Sequence, residues 1–158
     1  MRTVCLMTLA LCVFIGGCQS EGALFEPYIR SDTENALVYV YWPPQSWREK
    51  ADEYPELRLN GVPVGLLKYR TYLVLEVPPG RHHFVLTGDS EYADWEDEDK
   101  SLTLPLKPGE TEYLRFLVKF NQLENRLGQG KMKYVIQFLP ISTERALVDL
   151  AELHAAGD

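Results

Sequence analysis

The chain has 158 residues and a formal net charge of −7. That length supports one domain with a substantial core, and the acidic balance argues against nucleic acid and anionic lipid surfaces, which attract Lys/Arg patches. The three cysteines, Cys5, Cys12 and Cys18, all fall in the first eighteen residues, so beyond them no disulfide, thiol nucleophile or cysteine-based metal site is expected.

The N-terminus has the parts of an export signal in order. Arg2 is a minimal positive region, and Val4 to Ile15 is an uncharged apolar run. At roughly 12 residues this run is shorter than the ~20 needed to span a bilayer. Ile15-Gly16-Gly17-Cys18 closes it, and these four residues resemble the lipobox of bacterial lipoproteins. The resemblance implies a thioether diacylglycerol on Cys18, cleavage after Gly17 and a further acyl chain, commonly palmitate, on the new amino terminus. A single acyl chain binds membranes only marginally, and a second makes attachment stable. In the sorting pattern that this resembles, Asp after the cysteine retains a protein at the inner membrane. Gln19 is not Asp, so the expected location is the periplasmic face of the outer membrane. An ordinary signal peptide with an incidental cysteine is the alternative.

Residues 18–35 are polar and read as a lipidated tether, leaving 36–158 as the folded domain. Ala36 to Trp42 (ALVYVYW) is rich in β-branched and aromatic residues and predicts a strand buried on both faces. Pro43-Pro44 ends it, since proline cannot donate to a ladder. A charged loop from Gln45 to Pro55 follows, then a hairpin from Glu56 to Leu67 whose turn is Asn60-Gly61, a pair that accepts positive φ. Further strands are expected at Thr71–Val77, His82–Thr87, Ser101–Leu106, Thr111–Phe120 and Met132–Leu139. Pro79-Gly80 and Pro108-Gly109 join two of the strand pairs, and Leu114 to Val118 should lie inside the domain. At the C-terminus the period changes. Ser142 or Thr143 can cap a helix over Thr143–Ala156, with Leu147, Leu150 and Leu153 as its apolar stripe and Gly157 as its stop. The reading is mainly β: a single antiparallel β-sandwich of about eight strands with one C-terminal α-helix.

The order Leu59-Asn60-Gly61, Val64-Gly65-Leu66-Leu67, Val77-Pro78-Pro79-Gly80-Arg81-His82 and Pro108-Gly109-Glu110-Thr111 resembles a family of small bacterial lipoproteins with a sandwich domain of unknown function. The turn signals are also similar to those of PEGA-type domains, which are small surface β-modules. The resemblance covers residues 36–120 and implies a location and a fold, with no catalytic residues. In the family pattern an Arg commonly precedes the first proline; here that residue is Trp42, so its role is not carried over.

Chemistry-bearing residues are scattered. His82 and His83 are adjacent in a strand, so they point to opposite faces and cannot jointly chelate one metal. His154 is distant, and no serine sits in a nucleophile elbow. Asp89 to Asp99 (DSEYADWEDED) is dense in carboxylates. Like charges this close predict a solvated loop, with a divalent cation as the functional alternative. Trp42, Trp47 and Tyr54 flank the Pro-rich loop and form the candidate binding surface, or else belong to the core. No enzyme, cofactor or metal is expected. The expected function is a membrane-anchored accessory module that binds an envelope protein, with glycan or peptidoglycan binding as the alternative.

Overall fold

A computed structural model describes residues 23–46, 48, 50–95, 98–120 and 134–156. The expected export signal, Cys18, Gln19, Trp47, the whole 121–133 connection and Gly157 lie outside the described residues. The strands are β1 (Ala36–Tyr41), β2 (Glu56–Leu59), β3 (Val62–Leu66), β4 (Thr71–Val77), β5 (Gly80–Thr87), β6 (Asp89–Ser90), β7 (Ala93–Asp94), β8 (Lys100–Leu106), β9 (Thr111–Phe120), β10 (Tyr134–Pro140) and β11 (His154–Ala155). The helix α1 spans Thr143–Leu150. One sheet has the order β10-β9-β1-β4-β11 and the other β3-β2-β5-β8, with β6-β7 as a separate small hairpin.

Alternation along β1 divides the interior in two. Ala36, Val38 and Val40 face the second sheet and meet Leu57, Phe84, Leu86 and Leu106 in the core between the sheets. Leu37, Tyr39 and Tyr41 face the other way and meet Tyr72, Tyr113, Ala146, Leu150 and Leu153. Every residue of β1 is therefore buried, as its composition predicts. Leu114 to Val118 behaves similarly, apart from Arg115. The Asn60-Gly61 hairpin also forms as expected, with Leu59 opposite Val62 and both turn residues at positive φ, 52° and 85°.

Four expectations need correction. First, the sandwich is not wholly antiparallel: β1 runs parallel to β9, and β11 parallel to β4. Second, the strands joined by Pro-Gly turns do not pair with each other. Pro78-Pro79 carries the chain from β4 in one sheet to β5 in the other, and Lys107–Glu110 carries it back from β8 to β9. The crossover is why β9 enters beside β1 from the same end, where the Leu37 amide donates to the Glu110 carbonyl at 2.9 Å.

Third, α1 stops at Leu150 instead of continuing to Ala156, because the sheet edge takes over the backbone. His154 N donates to the Arg70 carbonyl and Ala156 N to that of Tyr72. Leu150 and Leu153 are buried, but Leu147 turns outward. Asp149, on the inner side of α1, joins the helix to the sheet. It meets Arg115 and Arg145, each at 3.0 Å, and accepts the Tyr41 hydroxyl at 3.2 Å. Burial first, then the Asp149 charge, pushes the Tyr41 phenol up.

Fourth, residues 23–35 are not a free tether. Leu24 bridges to His154, and Phe25 packs edge-on against Tyr39 and Tyr72. The segment then runs the length of the sheet to its far end. There the Arg30 guanidinium donates to the Gly109 and Glu110 carbonyls and to the Thr111 hydroxyl. Beside it the Glu76 carboxylate accepts from the Ser31 amide and hydroxyl, the Asp32 amide and the Asn35 side chain, at 2.8–3.1 Å. The Ser31 amide leads the set of donors that hold the Glu76 carboxyl down at about 2. Together the segment and α1 form a covering layer on the outer face of the five-stranded sheet.

Because Glu76 is depressed when folded, its hold on this turn is complete above the unfolded carboxylate value of 4.5 and is lost as pH falls through about 2. Amide exchange at Ser31 and Asp32 should therefore show higher protection factors at pH 7 than at pH 3, because between 4.5 and about 2 the opened turn takes up a proton that the closed turn does not. Glu76→Gln should lower protection at both pH values; equal protection in the variant would mean that the turn is held by other contacts.

Candidate functional site

The end of the sandwich opposite the Pro-Gly crossovers collects the long loops. The 43–55 loop leaves β1 there and enters β2, and the 88–99 loop joins β5 to β8 at the same end. The first loop is pinned at its root. Gln45 N donates to the Tyr69 hydroxyl at 3.0 Å, the Tyr69 hydroxyl donates back to the Gln45 carbonyl, and Val118 N donates to Gln45 Oε1 at 3.1 Å. It is then tied to the second loop. Tyr54 N donates to the Tyr92 carbonyl at 2.9 Å, Asp94 N to Glu53 Oε2 at 3.2 Å, and Lys50 Nζ to the Asp94 carbonyl at 3.2 Å. Lys50 also pairs with Glu53 at 2.6 Å and sits over the Tyr134 ring.

Of the three aromatics that form a binding surface or else belong to the core, Trp42 is a core residue. It continues the β1 alternation past the strand end and is wholly buried. Its ring meets those of Phe116, Tyr69 and Trp95 edge-on, at centroid distances of 4.9, 5.5 and 6.1 Å. Tyr54 is half-buried on the loop pair, and Trp47 lies outside the described residues. The structure adds Tyr92, 48% exposed, beside Tyr54. A hydrogen bond to the Glu91 carboxylate, and then its charge, push the Tyr92 phenol up. A surface aromatic in an acidic run carries no periodic signal, because its position depends on which loop it meets across the fold.

The carboxylate-rich stretch is not a purely solvated loop. Asp89–Ser90 and Ala93–Asp94 pair as a hairpin, and Trp95 is buried with its ring stacked 5.4 Å from Phe116. The approach of Trp95 requires Gly88, whose carbonyl accepts from Trp95 N at 3.1 Å. A Cβ at position 88 would lie 2.7 Å from the Trp95 side chain. Among the described residues no group of three carboxylates or imidazoles comes together as a metal site; Glu96 and Asp97 lie outside them.

The histidines hold local structure. His82 is half-buried, with Nε2 2.8 Å from the Pro78 carbonyl and Nδ1 3.1 Å from Asn60 Nδ2. The carbonyl requires Nε2–H, which leaves Nδ1 to accept from the amide. His83 is exposed on the opposite face, as strand parity requires.

Residues 32–130 match a family model described as a protein of unknown function, DUF2846. The match runs from the turn that Glu76 holds through β9 and excludes β10, α1 and β11. No curated protein matches the chain.

If the second loop is anchored through Trp95, Gly88→Ala should destabilise the domain by about 1–3 kcal/mol through overpacking. Urea unfolding followed by tryptophan fluorescence measures this. An unchanged midpoint would show that Trp95 is free to leave the core at little cost.

Proposed function

The chain belongs to this family of unknown function, and on that premise we propose that it is a lipid-anchored envelope module that acts by binding a partner. The observation that carries the reading is the export signal ending Ile15-Gly16-Gly17-Cys18, a sequence that asks for export and acylation of Cys18. Its location is the periplasmic face of the outer membrane, in keeping with Gln19 after the cysteine. The non-catalytic part is supported by where the polar side chains are engaged. Glu76 holds the N-terminal turn, His82 holds the turn between β4 and β5, and Asp149 holds α1. Each serves the fold.

The partner surface in this reading is the loop pair, with Trp47, Tyr54 and Tyr92 as anchors and Lys50, Glu53 and Asp94 around them. Aromatics ringed by polar groups are the composition that interface hot spots favour, and the backbone bond from Tyr54 to Tyr92 sets those two side by side. The burial of Trp42 removes one of the three aromatics on which the partner-binding and glycan readings both relied, and the exposed Tyr92 beside Tyr54 takes its place.

Two experiments test these parts separately. Cys18→Ser should abolish palmitate incorporation and leave an uncleaved precursor; labelling equal to the parent would overturn the anchor. Trp47→Ala and Tyr92→Ala should each weaken capture of a crosslinked membrane partner about tenfold or more while leaving the melting temperature nearly unchanged. Full capture by both variants would overturn the assignment of this surface.

A further inference from the structure

The outer side of the covering layer is unusually apolar for a solvent-facing surface. Ile29 is 89% exposed, Val148 66% and Leu24 58%, with Tyr28 and Leu147 also exposed. These residues belong to the two pieces, the N-terminal segment and α1, that pack on one face of the five-stranded sheet. The segment extends from Leu24, beside β11 at the loop end, to Arg30 at the crossover end. Its exposed side chains are thus distributed along the domain's length. Isolated apolar side chains on a surface are ordinary; several on one face need a partner.

The length of the preceding chain says which partner. Ala23 is already fixed, its carbonyl accepting from Ala155 N at 3.0 Å. Ala23 lies five positions after Cys18, a span of at most about 18 Å even when fully extended. If Cys18 is acylated, as the proposed function holds, Leu24 cannot leave the neighbourhood of the headgroups. Two postures then remain: standing on the loop end, or lying on the covering layer.

Apolarity separates them. The loop end is densely charged, with Asp52, Glu53, Asp89, Glu91, Asp94, Glu98 and Asp99 beside Arg48, Lys50, Lys68, Arg70, Lys100 and Lys119, and Tyr92 is its large exposed aromatic among the described residues. The covering layer carries mixed charges, Glu26, Arg30, Glu144, Arg145 and Glu152, around its apolar side chains. An interfacial surface of this kind gains by burying apolar side chains at the headgroup boundary.

We propose that the domain lies on its covering layer, with Leu24, Tyr28, Ile29, Leu147 and Val148 against the lipid surface. The loop pair then points sideways along the membrane, where it can meet a neighbouring membrane-associated protein. The acyl chains hold the protein at the membrane and the covering layer sets its posture.

The test uses the full chain after processing, reconstituted in phosphatidylcholine vesicles containing a headgroup-nitroxide lipid. Processing removes Cys5 and Cys12, and acylation consumes Cys18, so an introduced cysteine is the one free thiol for a fluorophore. Leu24→Cys, Ile29→Cys and Val148→Cys report the covering layer, Val62→Cys the exposed β2–β3 hairpin of the other sheet, and Tyr92→Cys the loop end. Parallel palmitate labelling reports the anchor. The expected result is quenching at 24, 29 and 148 about twofold or more above that at 62 and 92, as partial burial at the headgroups requires. Quenching at 24 and 92 without 29 and 148 would mean that the domain stands on its loops. Uniform quenching would mean that it tumbles on its anchor. Either overturns the posture and leaves the anchor intact. Absence of palmitate together with failure to float with the vesicles would overturn both.

Discussion

The fold depends on a strand with no solvent face. β1 is hydrogen-bonded to β4 on one side and to β9 on the other, and its side chains alternate between two separate apolar layers. Val38 and Val40 belong to the core between the sheets, Tyr39 and Tyr41 to the core under α1 and the N-terminal segment. Neither layer can be lost without exposing half of β1. The two cores are coupled through one backbone, and the elements most distant in sequence, Phe25 and Leu153, meet over the same tyrosines.

This arrangement also distributes the chain's labour between the two ends of the molecule. Pro-Gly crossovers switch sheets at one end, where Gly80 lies opposite Leu106 and the Arg30 and Glu76 clusters close the N-terminal turn. Proline suits these points because the ladder must end there. The other end holds the long loops, and their roots are built from the inter-sheet aromatic cluster of Trp42, Tyr69, Trp95 and Phe116. The 88–99 loop is therefore only partly solvated: Asp89, Glu91, Asp94, Glu98 and Asp99 are exposed while Trp95 fixes its base.

Much of this was legible in the sequence wherever local chemistry decides. The composition of ALVYVYW announced burial on both faces, Asn60-Gly61 specified its hairpin, and the adjacent histidines divided between faces by parity. Pairing partners were less legible. The Pro-Gly turns gave their positions but not whether the next strand would pair back or change sheets, since that is decided by which apolar face needs covering. Trp42 could have been assigned to the core by extending the β1 alternation one residue past the strand, although Pro43 obscured the continuity. The docking of residues 23–35 was hidden because polar side chains such as Arg30 find distant backbone carbonyls, an interaction with no sequence period. The surface aromatic Tyr92 was missed for a similar reason, its setting being created by a loop 38 positions earlier.

Native-state hydrogen exchange along β1 tests the central claim most directly. If β1 joins both layers, the amides of Val38 to Tyr41 should exchange only through global unfolding, with the same free energy and denaturant dependence as Phe84 and Leu86 in the other sheet. Exchange of the β1 amides by a smaller, partial opening while Phe84 and Leu86 stay protected would contradict it, and would make the covering layer and its sheet a separate folding unit.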